Sequence, residues 1–211
     1  MTPFKAVYVL LLLVSVPFFV APAYAVDTTG SDPRMSERSL GKADAPIKVD
    51  EFVSLTCSHC AEFYNTILPD LEKKYIDTGK VRFVMHDFPL NGTSLKAAAV
   101  ARCLPTDEYF PFVKVLYKNL MTWAFGSGDP VANLIQYSKL AGLSDEQAKA
   151  CANDSKLQDA IVAERTTASD KYKVEATPTF VVNDGSDVIQ GAQPADAFAV
   201  IFDRILSAKK K

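Results

Sequence analysis

The sequence predicts an α/β fold in which a mixed central sheet is flanked by helices and interrupted by an inserted all-helical subdomain. Three observations predict it: strand and helix patterns alternate between residues 47 and 87, residues 93–173 have helical patterns only, and strand patterns return afterwards. With 211 residues, of which 48% are hydrophobic, the chain is long enough to bury such a core.

The first 25 residues differ in composition from the rest of the chain. Lys5 is their only charged residue, an apolar run covers residues 6–20, and Ala23 and Ala25 supply small residues for a cleavage site. This pattern is typical of a secretory signal peptide over residues 1–25. A membrane anchor is the alternative, because the apolar run has nearly the length of a membrane span.

The charge balance excludes one class of partner. Without residues 1–25, and therefore without Lys5, the chain has 22 basic and 25 acidic residues, a formal charge of −3. Proteins that bind nucleic acid carry a basic excess, so we expect no nucleic-acid partner.

The rest of the chain divides into four segments by pattern. They are a polar lead (26–35), a first part of the α/β fold (36–92), the helical insertion (93–173) and a second part of the α/β fold (174–211).

The first α/β part begins with a predicted strand near residues 47–53. A helix then runs from Cys57 to about Tyr75, where apolar residues recur at helical spacing, and Pro69 inside it should cause a kink. A turn at Gly79 leads to a second strand in "VRFVMHDF". Strand, helix and strand in this order imply that the two strands are parallel neighbours.

Capping and turn residues define the later elements. Four insertion segments begin with a residue suited to an N-cap, namely Asp107, Asp129, Ser144 and Ser155. In the last segment, the turn "NDGS" separates the short strands "TFVV" and "DVIQ", a pattern that predicts a hairpin, and a helix follows.

The hexapeptide "LTCSHC" carries two cysteines at the junction of the predicted strand and helix. Cys57 falls in the first helical turn, where free backbone N–H groups and the positive end of the helix dipole favour a thiolate. Cys60 follows one turn later, close enough for its thiol to attack a disulfide that Cys57 has formed with another protein. The pattern predicts a redox couple in which exposed Cys57 forms a mixed disulfide and buried Cys60 resolves it. His59, beside Ser58, would stabilise the thiolate further if it is protonated.

Two other interpretations of the cysteine pair are weaker. A zinc site needs four ligands, but besides the four cysteines the chain has only His59 and His86 and no second C-x-x-C, so no metal is predicted. A purely structural crosslink is also disfavoured, because so short a loop removes little chain entropy. We assign His86 no chemical role.

Three stretches together resemble a known family: "LGKADAPIKVDEFVSLTCSHC", "VRFVMHDFPL" and "EATPTFVVNDG". The chain resembles the DsbA-like thiol:disulfide oxidoreductases, which are thioredoxin-fold proteins of the bacterial envelope with a helical insertion. The resemblance covers residues 36–207. It implies a thioredoxin fold and a periplasmic enzyme that needs no cofactor.

The resemblance also assigns roles to three residues outside the hexapeptide. Thr177 and a cis Pro178 would pack beside the cysteines, and the backbone of Thr177 would bind a client. Glu51, six positions before Cys57, would lie beneath Cys60, where burial raises its pKa and lets it relay the resolving thiol's proton. An ordinary solvated strand residue is the alternative for Glu51.

The remaining cysteines, Cys103 and Cys151, both fall in the helical insertion. Some members of the family carry a second disulfide there, so the resemblance implies a structural Cys103–Cys151 bond. It would close a loop of about 49 residues and contribute roughly 4 kcal/mol in the chain-entropy model. Two free thiols are the alternative, although export favours the bond.

The expected function is a thiol:disulfide oxidase that introduces disulfides into reduced or unfolded exported proteins and is reoxidised by a membrane partner of the DsbB type. The alternatives are a disulfide isomerase or reductase with the same couple, and a redox-inert peptide-binding module. The short polar lead favours a monomeric oxidase over an isomerase that dimerises through an N-terminal extension. Ser58-His59 differs from the Pro-His of strongly oxidising relatives, so the sequence leaves the strength of the oxidant open.

Overall fold

Residues 32–209 are described by a computed structural model. In this part of the chain the strands are β1 (Arg38–Leu40), β2 (Ile47–Val53), β3 (Val81–Asp87), β4 (Thr179–Val182) and β5 (Asp187–Gln190). The signal peptide predicted for residues 1–25 lies outside the described residues, as does the polar lead up to residue 31.

The strands form one mixed sheet in the order β1-β3-β2-β4-β5. β2 and β3 are parallel, with Val49 opposite Phe83, which confirms the predicted strand-helix-strand unit. The other neighbouring strands are antiparallel. β4 and β5 form the predicted hairpin, joined by a short 3-10 turn over Asn183–Gly185.

Helices cover both faces of the sheet, and those between β3 and β4 make up the expected insertion. The α-helices are α1 (Ser58–Glu62), α2 (Leu68–Leu71), α3 (Gly92–Arg102), α4 (Thr106–Lys118), α5 (Leu120–Trp123), α6 (Pro130–Ser138), α7 (Asp145–Ala152), α8 (Ser155–Tyr172) and α9 (Ala195–Ala208). Within residues 32–209, no helix combines the length and apolarity needed to cross a membrane.

The helix predicted after the cysteines is present, but it alternates between α and π geometry. π-helical turns occupy Phe63–Ile67 and Glu72–Ile76, on either side of α2. Pro69 lies in the first turn of α2, immediately after the first π segment. Proline has no N–H to donate to the preceding turn, and a widened turn accommodates this loss. The disturbance expected at Pro69 therefore takes the form of π turns.

Two of the four predicted caps are correct. Asp129 and Ser144 accept hydrogen bonds from backbone N–H groups at the starts of α6 and α7. The prediction for Asp107 is wrong, because α4 begins earlier, directly after Pro105. The prediction for Ser155 is wrong by one residue, because the side chain of Asp154 accepts from Leu157 N–H and caps α8.

Alternate residues of β2 point to opposite faces of the sheet. Val49 and Glu51 face α9 and the π-helical segment Phe63–Ile67, where a cluster of aromatic rings fills the core (Phe63, Phe83, Phe180, Phe198, Phe202). Asp50 and Phe52 face α8 on the other side. The strand that leads to the cysteines thus inserts one carboxyl group into each face.

Candidate active site

Cys57 lies where the chain leaves β2 and enters the active-site helix. It is the N-cap residue of α1, with φ −90° and ψ 124°, and its N–H donates to the Ser54 carbonyl. Cys57 is partly exposed, whereas Cys60 is fully buried, and both are free thiols. This difference in exposure is the one that the sequence predicts.

The two thiols have opposite pKa shifts. A hydrogen bond from the Cys60 side chain is the largest cause that lowers the pKa of Cys57 to about 5, and the backbone N–H groups of Cys60 and His59 add to it, while partial burial opposes them. Burial is the largest cause that raises the pKa of Cys60 well above its usual value, and the neighbouring Cys57 adds to it. At neutral pH the reduced pair is therefore one thiolate and one thiol.

The structure brings Thr177 and Pro178 beside the cysteines, as expected. The Thr177–Pro178 peptide bond is cis. Cys57 Sγ lies 3.3 Å from the Thr177 carbonyl oxygen. Thr177 is buried, and its hydroxyl is among the groups that lower the pKa of Cys57. The loop before β4 thus presents backbone and side-chain polar groups beside the partly exposed sulfur.

His59 and Ser58 lie on the solvent side of the site. The His59 side chain is 70% exposed, and its Nδ1 lies 3.3 Å from Glu62 Oε2. The His59 backbone N–H, rather than its ring, is among the groups that lower the pKa of Cys57. Ser58 is exposed at the first position of α1. A tuning effect of the His59 ring would act through its charge and stays a prediction.

Glu51 is buried, so its interpretation as a solvated strand residue is wrong. It lies opposite Met85 of β3 and Phe180 of β4. Burial is the main cause that raises the pKa of Glu51 to about 8, while a hydrogen bond from Tyr64 lowers it. The carboxyl group is therefore largely protonated at neutral pH.

No chemical role is predicted for Tyr64, which is one of the residues at helical spacing in the helix predicted after Cys57. Its hydroxyl is 3.1 Å from Glu51 Oε2, so it belongs to the buried side of the site. A tyrosine one turn after Cys60, on the same helix face, was the available signal. The Glu51 partner could not be inferred from that spacing.

His86 belongs to a charged network on the opposite face of the sheet. Its ring nitrogens lie 2.8 Å from Asp50 Oδ1 and 2.7 Å from Glu164 Oε1. These two carboxylates raise the pKa of His86 to about 9, against a large opposing effect of burial. Arg102 continues the network to Glu164 and to Asp87. We expected no chemical role for His86, and the structure gives it a structural one.

The remaining cysteines form a disulfide between the end of α3 and α7. Cys103 and Cys151 are bonded, with their Cα atoms 6.3 Å apart. The Arg34 guanidinium lies 3.7 Å from Cys103 Sγ and pairs with Asp154, so the described end of the polar lead packs against this crosslink.

Comparison with known proteins identifies the family. A family model described as thioredoxin matches residues 34–204. The crystal structure of Wolbachia pipientis alpha-DsbA1 superposes with a TM-score of 0.74 and 30% sequence identity, covering 82% of this chain and 92% of that chain. The chain is a DsbA-like member of the thioredoxin family. The fold and the family inferred from the sequence are thereby confirmed.

Curated relatives carry names of the same kind. This DsbA-like chain is 31% identical over 173 residues to a Rickettsia felis protein named as a protein-disulfide oxidoreductase. The match covers 82% of the chain but only 61% of that relative's length. It is also 31% identical over 154 residues to a Bacillus cereus protein named as disulfide bond formation protein D, and here the match covers 70% of each.

Proposed function

We propose that this DsbA-like protein is a thiol:disulfide oxidase that donates its Cys57–Cys60 disulfide to reduced exported proteins. The observation that carries the proposal is the opposite pKa shift of the two cysteines, with Cys57 at about 5. A stable Cys57 thiolate stabilises the reduced form of the protein, and this makes its disulfide a better electron acceptor.

The reaction divides into two exchanges. A client thiolate attacks Cys57 Sγ, the Cys57–Cys60 bond breaks, and the electron pair leaves on Cys60, which takes up a proton. A second client thiolate then attacks the client sulfur of the mixed disulfide, and Cys57 leaves as a thiolate. The client gains a disulfide and loses two electrons, which the reduced Cys57 and Cys60 retain. Sulfur carries both electrons, so the proposal requires no cofactor and no metal.

The size of the Cys57 shift bounds its effect on the potential. Against an ordinary thiol at pH 7, a thiolate with pKa about 5 raises the potential by at most about 60 mV. Cys57 is half-exposed, so solvent screening reduces this contribution. The effect has the direction that an oxidase needs.

The surrounding residues have proposed roles in this reaction. The Thr177 backbone, next to cis Pro178, hydrogen-bonds the client chain while its sulfur is on Cys57. Glu51 supplies the proton that Cys60 takes up, which its raised pKa supports. His59 and Ser58 tune the couple from the solvent side, His59 through its ring charge.

The partners and location follow from the same proposal. Clients are unfolded or reduced exported proteins, and a membrane partner of the DsbB type withdraws the electrons from the reduced couple. We propose a monomer in the periplasm, exported by the signal peptide predicted at residues 1–25. The name of the Bacillus cereus relative, which refers to disulfide bond formation, supports the oxidative direction.

A client-oxidation assay tests the proposal with two matched variants. The oxidised wild-type protein should convert a reduced, unfolded client to its disulfide form, and Cys57→Ser should not. Cys60→Ser has no disulfide to donate and should not oxidise the reduced client either. Its Cys57 thiolate should instead attack a client that already contains a disulfide and trap a mixed disulfide, because the resolving thiol is absent. In an oxidase-null bacterium, restored motility with Cys57→Ser at the wild-type level would contradict a catalytic couple.

A further inference from the structure

A buried phenol links Glu51 to the active-site helix. The Tyr64 hydroxyl donates a hydrogen bond to Glu51 Oε2 over 3.1 Å, and the Tyr64 hydroxyl oxygen also lies 3.3 Å from Met85 Sδ. Tyr64 follows Cys60 by four residues and so lies on the same face one turn later. Both Glu51 and Tyr64 are buried. The orientation of the carboxyl group is thus coupled to the helix that carries both cysteines.

The two oxygens of the Glu51 carboxyl group have different surroundings. Oε2 is held by Tyr64, whereas Oε1 is buried and has no hydrogen-bond partner among the described residues. A buried polar atom without a partner is uncommon, because leaving water without compensation costs free energy. In the described part of the chain Glu51 also forms no salt bridge; beside it on β3 lies the sulfur of Met85 instead of a cation.

The inserted subdomain closes this buried site. The ring of Tyr117, on α4, packs against Tyr64 with 4.7 Å between ring centroids. The Tyr117 hydroxyl donates to the Ser54 carbonyl oxygen over 3.3 Å, just before the active-site turn. The charge of Cys60 is among the causes that raise the pKa values of both tyrosines, so all these groups share one enclosed region.

We propose that Tyr64 is the positioning residue of Glu51: it anchors Oε2 so that Oε1 exchanges the proton with Cys60. The inference deepens the proposed oxidase function and rests on it. When a client thiolate attacks Cys57, the Cys57–Cys60 bond breaks and its electron pair goes to Cys60 Sγ. The proton on Glu51 Oε1 then passes to Cys60 Sγ, and Glu51 becomes a carboxylate that Tyr64 stabilises. During reoxidation the carboxylate form of Glu51 takes the proton back from Cys60.

The first test measures the Glu51 carboxyl directly in the reduced protein. Tyr64→Phe removes one hydroxyl and keeps the ring. Because this hydroxyl stabilises the carboxylate, its loss should raise the midpoint of the Glu51 titration, followed by carbon-13 NMR, by about one to two pH units. The matched control is Tyr75→Phe, which removes the hydroxyl that donates to Asp203 and should leave the midpoint unchanged. An unchanged midpoint in Tyr64→Phe would overturn the proposal.

The second test measures the single-turnover rate of client oxidation as a function of pH. Each rate is divided by the fraction of client thiol that is ionised at that pH. The wild-type rate should fall above about pH 8, where Glu51 loses its proton. Tyr64→Phe should lower the plateau by up to about 10²-fold, because the acid is misplaced, and should move the alkaline fall to higher pH. A profile identical to that of Tyr75→Phe contradicts the positioning role.

Glu51→Gln completes the tests if Tyr64→Phe does not fold. It should abolish the alkaline fall, and a fall that persists would overturn the role of Glu51 and with it that of Tyr64. Failure of the oxidase function is distinguishable, because the wild-type protein would then not oxidise the client at all. The NMR midpoint in Tyr64→Phe would still report whether Tyr64 sets the proton affinity of Glu51.

Discussion

The Cys57 thiol lies 3.3 Å from the carbonyl oxygen of Thr177, 120 positions later in the chain. β2 delivers the cysteine, and the segment that enters β4 delivers the threonine, because these two strands are neighbours in the sheet. A client held by the Thr177 backbone would therefore present its sulfur to Cys57. This juxtaposition underlies the proposed chemistry.

The Cys57 thiol should titrate near pH 5 in the reduced protein. Ultraviolet absorbance of the thiolate, or the rate of alkylation by iodoacetamide, should give a midpoint of about 5. Cys60→Ala should move the midpoint upward, because the Cys60 hydrogen bond is the largest cause of the shift. A midpoint near the ordinary thiol value of about 8.5 would contradict the site electrostatics.

The same shift makes the stability of the reduced protein depend on pH. The folded pKa of Cys57 is lower than the unfolded pKa, so its contribution is present above about pH 8.5 and is lost as the pH falls through about 5. In urea unfolding of the reduced protein, the free energy of unfolding should therefore fall on acidification, and it should fall less in Cys57→Ser. Equal pH dependence in both proteins would count against the prediction.

His86 should stabilise the fold in its charged form. Its folded pKa of about 9 exceeds the unfolded value of 6.5, so the contribution is complete below pH 6.5 and is lost as the pH rises through 9. His86→Gln should lower the free energy of unfolding by about 3 kcal/mol at pH 6 and by much less at pH 10. His59→Gln changes the chain's other histidine, which is exposed, and serves as the control. A pH-independent loss would contradict the account.

Removing one member of the buried ion pair between Arg102 and Asp87 should destabilise the protein strongly. Both side chains are buried, and Arg102 also donates to the carbonyl oxygens of Arg34 and Ser36. Arg102→Leu should lower the free energy of unfolding by about 3–5 kcal/mol, because it leaves a buried carboxylate without its partner. Adding Asp87→Asn should recover part of the loss in urea unfolding. Additive losses would show that the two side chains do not interact.

The Cys103–Cys151 disulfide should stabilise the insertion without setting the chemistry of Cys57. The double variant Cys103→Ala/Cys151→Ala should lower the free energy of unfolding by about 4 kcal/mol, the chain-entropy value for a loop of this length. Its Cys57 midpoint should match that of the wild-type protein. A large shift of that midpoint would mean that the crosslink acts on the catalytic couple.

Local patterns predicted much of the fold and the outline of the site. β2, the active-site helix and the β4–β5 hairpin follow from hydrophobic spacing and turn residues. The partners of the buried polar groups did not follow, because they come from segments far apart in the chain. The hydrogen bond between Tyr64 and Glu51 depends on how the active-site helix packs on the sheet. The contact between Glu164 and His86 depends on where α8 crosses the sheet. The cap of α8 was missed because Asp154 and Ser155 are both good capping residues.

The redox potential of the Cys57–Cys60 couple tests the central claim most directly. The purified protein would be equilibrated with glutathione buffers of graded ratio at pH 7, and the reduced fraction measured after acid trapping and alkylation. The proposed oxidase requires a potential well above that of thioredoxin, about −270 mV. A potential at or below about −270 mV would contradict the oxidase function and favour a reductase.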